Sequence, residues 1–176
     1  MTPSEAVNEH LLVTTQLLRD CMAEIEEGAV RLAAIAARGG RILFFGNGGS
    51  AAMALHLAAE LSVDTVALAD PASLTAIGND LSFDEVFAVR VRALARPGDA
   101  VVTLSTSGKS ENVLQGVRAA RLAGATTFAL TGARPNPLAE LADHTICIPS
   151  RSTARIQELH LFCGHVICEM IEAACH

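Results

Sequence analysis

The sequence has no Trp and no Tyr, and six Phe are its only residues of the Phe, Tyr and Trp class. A stacking platform for single-stranded nucleic acid needs more aromatic faces than that. Cationic excess is missing too: 13 Lys and Arg stand against 19 Asp and Glu, for a net charge of −6. A general binder of the phosphate backbone is normally basic. The five cysteines (Cys21, Cys147, Cys163, Cys168 and Cys175) form no C-x-x-C pair. Their number and spacing argue against a zinc finger or a disulfide framework and for buried thiols acting as small hydrophobes. No stretch approaches the roughly 18 uncharged apolar residues of a membrane span. Residues 1–20 carry Glu5, Glu9 and Asp20 and no long apolar run, unlike a secretory signal. The expectation is a cytoplasmic protein with neither a membrane nor a nucleic-acid partner.

What is present is aliphatic. The chain has 176 residues, 51% of them hydrophobic, and a mean hydropathy of +0.37. That excludes a disordered chain and suits one domain over residues 1–176. No linker, repeat or low-complexity tract divides it. A small aliphatic domain buries more surface by self-association, so a homo-oligomer is expected.

The first forty residues read as helical. Leu11, Leu12, Leu17, Leu18, Met22 and Ile25 recur at helical spacing. A second segment, Ala29 to Ala37, is stopped by Gly39-Gly40. Five short apolar runs then predict buried strands: 41–45, 65–68, 100–104, 126–130 and 144–148. Helical segments at 51–61, 84–95 and 111–122 separate most of them, and 153–174 reads as one long helix. Non-alternating strands between helices argue for a parallel sheet covered on both faces. The predicted fold is α/β, a doubly wound α/β/α sandwich around a five-stranded parallel sheet. The extra N-terminal and C-terminal helices are candidates for subunit packing.

Ligands of such sheets bind beyond the carboxyl ends of the strands, and two strand-to-helix loops stand out there. Gly46-Asn47-Gly48-Gly49-Ser50 follows the first strand. Its glycines permit a sharp turn and close approach to a ligand, although a plain tight turn would use them too. Its spacing is neither G-x-G-x-x-G nor G-x-x-x-x-G-K-[ST], which disfavours a dinucleotide or Walker-type nucleotide. Ser105-Thr106-Ser107-Gly108-Lys109-Ser110 follows the third. One helix cap needs one hydroxyl. Four hydroxyls in six positions point to a phosphoryl group held at a helix N-terminus.

Two helices carry residues able to do chemistry. His56 and Glu60 are four apart and share a helix face. They suit a metal or an acid/base pair, and equally a surface contact. The last helix holds Arg155, Gln157, Glu158, His160 and His165. Gln157 and His165 differ by about 12 Å of rise and about 80° of rotation, so they converge only by long reach or across a subunit interface. His160 is expected to be a satisfied interface histidine. His10, His144 and His176 have no local partner that suggests chemistry. A set of His, Glu, Gln and His suits a borderline divalent ion such as zinc.

These stretches, together with Ala76-Ile77-Gly78-Asn79-Asp80 and Arg155-Ile156-Gln157-Glu158-Leu159-His160, resemble the SIS (sugar isomerase) domain family, specifically its bacterial phosphoheptose isomerases. The resemblance runs from the N-terminal helices to the end of the chain. It implies a homotetramer with active sites at subunit interfaces, acting on a small sugar phosphate. The implied reaction is conversion of sedoheptulose 7-phosphate to D-glycero-D-manno-heptose 7-phosphate, the first step of ADP-heptose synthesis for lipopolysaccharide. By position, Ser105, Thr106, Ser107 and Ser110 would bind the phosphate. Asn47, Gly48, Gly49, Asn79 and Asp80 would line the substrate, with Glu60 and Gln157 also touching it. His56, Glu60, Gln157 and His165 would be ligands of one zinc ion per site, and Glu60 and His165 would supply acid/base catalysis. The sequence departs from many relatives where Ser62-Val63-Asp64 leads directly into the second strand, without their longer segment containing Arg and Pro. It also has Ala154 where some relatives have Asp. Two alternatives resemble it as well: an isomerase of a related phosphosugar, and a non-catalytic SIS tetramer that binds the replication initiator DnaA. The latter type lacks the full His, Glu, Gln and His set found here.

Overall fold

The computed structural model describes residues 2–175, so His176 lies outside the described residues. Five strands form one parallel sheet: β1 (Ile42–Gly46), β2 (Thr65–Ala67), β3 (Ala100–Ser105), β4 (Thr126–Thr131) and β5 (His144–Cys147). Their order is β2-β1-β3-β4-β5. The chain moves outward from β1 to β2, then returns to the other side of β1 for β3. The order therefore reverses between β1 and β3, the point where doubly wound sheets open a crevice.

The sheet is buried on both faces because its strands are apolar at successive positions. Ile42 and Phe44 join one core cluster and Leu43 and Phe45 the other. On the first face lie α2 (Met22–Ala37), α3 (Gly49–Glu60) and α8 (Thr153–Cys175). On the second lie α5 (Val86–Leu94), α6 (Glu111–Leu122) and α7 (Pro137–Leu141). The predicted sandwich is the observed one.

The helices differ from expectation in places, each with a physical cause. The N-terminal region breaks at Cys21, giving α1 (Pro3–Asp20) before α2. A capping box of Thr2 and Glu5 starts α1, and Gly39, with φ +80°, ends the turn after α2. The helix α3 begins at Gly49, so two residues of the first loop belong to its opening turn. Unforeseen were α4 (Pro71–Asp80), which buries none of its residues, and the short α7. Both start with Pro after a capping Asp70 or Asn136, a local signal without an apolar stripe behind it.

Candidate active site

The two loops meet at the switch point. Gly46 at the end of β1 is in register with Leu104 near the end of β3. The approach is close: a Cβ on Gly46 would sit 2.6 Å from the Leu104 carbonyl oxygen. Gly48 has φ +53°, which strains any L side chain, so the turn from β1 into α3 depends on it. Gly49 opens the helix beneath the side chain of Gln157, whose Nε2 would lie 2.7 Å from a Cβ there.

The second loop is held by its own hydroxyls. The Ser105 hydroxyl accepts a hydrogen bond from the Gly108 amide at 3.2 Å, and the Ser107 hydroxyl accepts from the Lys109 amide at 3.2 Å. Gly108 has φ +62° and is packed against the Asn136 side chain. Ser110 is the N-cap of α6, yet its hydroxyl makes no capping bond. It stays available to a ligand at the positive end of the helix.

The metal-competent residues lie along the seam between α3 and α8. Leu57 and Gly164 pack there: a Cβ on Gly164 would meet Leu57 Cδ1 at 2.6 Å. A larger residue there would force Leu57 to repack or the helices to move apart. The next residues on each helix then meet, and His56 Nε2 lies 2.8 Å from His165 Nε2. Glu60 Oε1 is 3.6 Å from His56 Nε2. One ligand atom from each of His56, Glu60 and His165 falls within a 4.8 Å span. At 2.8 Å one ring N–H donates to the other ring's nitrogen, with the roles set by the tautomers. Two nitrogens and a carboxylate oxygen are a donor set that zinc accepts. The cluster is open: the His56 and Glu60 side chains are 45% and 48% exposed.

The other predicted residues are distributed. Gln157 stands over Gly49 at the head of α3, and Gly49 precedes His56 by seven residues, about 10 Å of helical rise. Asn79 and Asp80 are exposed at the end of α4, where the Asn79 amide donates to the Asp80 carboxylate at 2.8 Å. Arg155 and Glu158 turn to α1: the Arg155 guanidinium donates to the Ala6 carbonyl and to Glu158, and Glu158 also pairs with His10 Nδ1 at 2.7 Å. His160 is neither satisfied nor at a surface. It is fully buried, and neither ring nitrogen has a hydrogen-bond partner among the described residues. Its place in the inward stripe Ile156, Leu159, His160, Cys163 and Ile167 puts it inside the chain's own core. Burial pushes its pKa down to about 4, against a weaker opposing effect of the nearby Thr131 backbone.

Two residues escaped the sequence analysis. Gly164 is visible as a costly glycine inside a long helix. Asn112, a buried polar residue in the first turn of α6, exchanges two hydrogen bonds with Asn47, at 2.8 and 2.9 Å.

The SIS domain family matches residues 7–132, well over half of the chain. The chain is also 49% identical over 161 residues to the phosphoheptose isomerase of Solidesulfovibrio magneticus, covering 85% of this chain and 78% of that one. The chain belongs to the phosphoheptose isomerase family of SIS domains. Its fold superimposes on the phosphoheptose isomerase GmhA from Neisseria gonorrhoeae with a TM-score of 0.94 at 38% identity, covering 97% of this chain and 96% of that one. The phosphoheptose isomerase from Francisella tularensis gives 0.93 at 29% identity, covering 98% and 100%.

Proposed function

We propose that the chain is a phosphoheptose isomerase that interconverts sedoheptulose 7-phosphate and D-glycero-D-manno-heptose 7-phosphate. The observation that carries this reading is the His56, Glu60 and His165 cluster, in a chain 49% identical to a phosphoheptose isomerase. The hydroxyl-rich loop before α6 holds the phosphate, with Ser110 and the helix N-terminus as donors. Anchoring that end orients the other for reaction. Asn47, Gly48 and Gly49, with Asn79, Asp80 and Gln157, line the sugar.

The reaction moves one proton between neighbouring carbons. A base removes a proton from C1 of the ketose, and the C2 carbonyl oxygen gains one, giving a cis-enediol. The C1 hydroxyl then loses its proton as C2 gains one, which leaves an aldose. Nothing is oxidised or reduced overall. Glu60 and His165 divide the base and acid roles. Together with His56 they would hold a divalent ion, zinc by donor type; Gln157, whose side chain lies against Gly49 at the head of α3, would have to swing toward them to serve as a fourth ligand. Such an ion supplies Lewis-acid stabilisation of the enediolate charge.

The open cluster and the exposed Asn79 and Asp80 support a homotetramer in which neighbouring copies close each site. Among the described residues no helix is long and apolar enough to cross a membrane, which is compatible with a cytoplasmic enzyme.

The direct test is NMR of sedoheptulose 7-phosphate incubated with the protein, with and without a chelator. Aldose product that disappears on chelation and returns with zinc is expected. No product under any metal condition overturns the isomerase. Product indifferent to chelation removes the ion but keeps the isomerase. A Glu60→Gln variant should bind substrate and fail to turn it over; normal turnover would remove Glu60 from the acid/base pair.

A further inference from the structure

We infer that Asn112 is a positioning residue that fixes Asn47 and sets the spacing between the phosphate end and the reacting end of the site. The inference rests on the two loops being the substrate site proposed above. Asn47 stands at the end of β1, where its carbonyl oxygen accepts the Ser50 amide at 2.9 Å and begins α3. Asn112 sits two residues into α6, directly after the phosphate loop. The two loops thus belong to different strand-to-helix units, and α3 and α6 lie on opposite faces of the sheet.

The amide pair joins them. Asn47 Nδ2 donates to Asn112 Oδ1 at 2.8 Å, and Asn112 Nδ2 donates to Asn47 Oδ1 at 2.9 Å. The orientation is not arbitrary. Asn112 Oδ1 also accepts the Val113 backbone amide at 2.9 Å, which fixes which amide atom is the oxygen, so Asn47 must turn its nitrogen to that oxygen and its own oxygen to Asn112 Nδ2. Asn112 is only 2% exposed, so losing its partner would leave a buried amide with part of its hydrogen-bonding capacity unmet. Each amide has two N–H groups and two acceptor sites on its oxygen. The pair uses half of the Asn47 capacity, and Asn47 is only half-buried, so one N–H and one acceptor site are not spent on the pair.

An enediol reaction needs the phosphate and the C1–C2 unit held at one separation, because a small misplacement is costly in rate. Removing Asn112 leaves the phosphate loop's own bonds, from Gly108 to Ser105 and from Lys109 to Ser107, in place. Phosphate binding should therefore survive while turnover suffers.

The test is a double-mutant cycle of Asn47→Ala and Asn112→Ala in the full-length protein, reading kcat, KM and competitive inhibition by inorganic phosphate. Asn112→Ala is expected to lower kcat by about 10- to 100-fold, with the phosphate inhibition constant changed less than about twofold. In the Asn47→Ala background the same change should cost little more, because coupled residues are non-additive. Two results overturn the inference: additive losses, or a rise in the phosphate inhibition constant that accounts for the whole effect. An unchanged kcat overturns it as well. If the wild-type protein does not turn over the heptulose phosphate, the functional proposal fails. The same cycle on urea unfolding then decides whether the pair is coupled at all, and additivity there also overturns it.

Discussion

His160 carries the sharpest residue-scale consequence. Its pKa is pushed down to about 4 from 6.5 by burial, so the folded protein binds a proton there less readily than the unfolded chain. Between pH 6.5 and 4 the unfolded state holds more protons, and stability must fall as pH drops through that window. The loss from pH 7 to pH 5 is about 2 kcal/mol for one histidine shifted this far. A His160→Gln variant keeps a buried polar side chain but cannot titrate. Urea unfolding at both pH values should show the wild type losing about 2 kcal/mol more than the variant. Parallel losses would mean that the folded protein protonates His160 easily. The expectation of a satisfied interface histidine fails here, because the ring lies in the chain's own core with no hydrogen-bond partner among the described residues. Its spacing from Ile156, Cys163 and Ile167 was the better guide. By contrast, His56 and Glu60 were legible as a pair because a four-residue spacing fixes a shared helix face.

At the scale of elements, the α3–α8 seam depends on Gly164. A Cβ there would press on Leu57 from 2.6 Å, forcing the helices apart or Leu57 off its rotamer, at a cost of about 1–3 kcal/mol. The distance between His56 and His165 is set by the same seam, so Gly164→Ala should weaken binding of a divalent ion roughly tenfold or more. Gly116→Ala is the control: its Cβ would meet Phe45 Cζ at 2.6 Å, in the core cluster on the opposite face of the sheet. Zinc titration followed by calorimetry should be weakened for the first variant and not for the second. Equal effects would reduce Gly164 to a matter of general stability. The five strands and α6 were legible because parallel strands buried on both faces are apolar without interruption. The helix α4 was not, because it buries no residue and so shows no apolar stripe. The meeting of Gln157 with Gly49 and of His165 with His56 is tertiary; no spacing within one helix contains it.

At the scale of the molecule, α1 presents an unsatisfied surface. Val7, Leu11 and Leu18 are each 57% exposed, and their spacing places them within about 40° of one another on the helix. Val13 and Leu17 are the buried residues of α1, so the outer stripe stays mostly outside the chain's own core. A net charge of −6 keeps copies apart unless such a surface is covered, and burying each of these side chains stabilises association by about 1.5–3 kcal/mol at most. Leu11→Glu with Leu18→Glu would place two carboxylates in that contact while leaving the buried side unchanged. Light scattering should show the proposed tetramer for the wild type and a smaller or concentration-dependent species for the variant, with the helical circular dichroism retained. Activity should fall with it, because the His56 and Glu60 cluster is open in a single chain. It should recover in part as protein concentration is raised. A doubly substituted protein that remains a fully active tetramer would move the contact away from α1. A protein that is monomeric but fully active would show that one chain completes its own site. The aliphatic composition alone was enough to expect self-association; which helix provides the contact depends on which leucines the fold leaves outside.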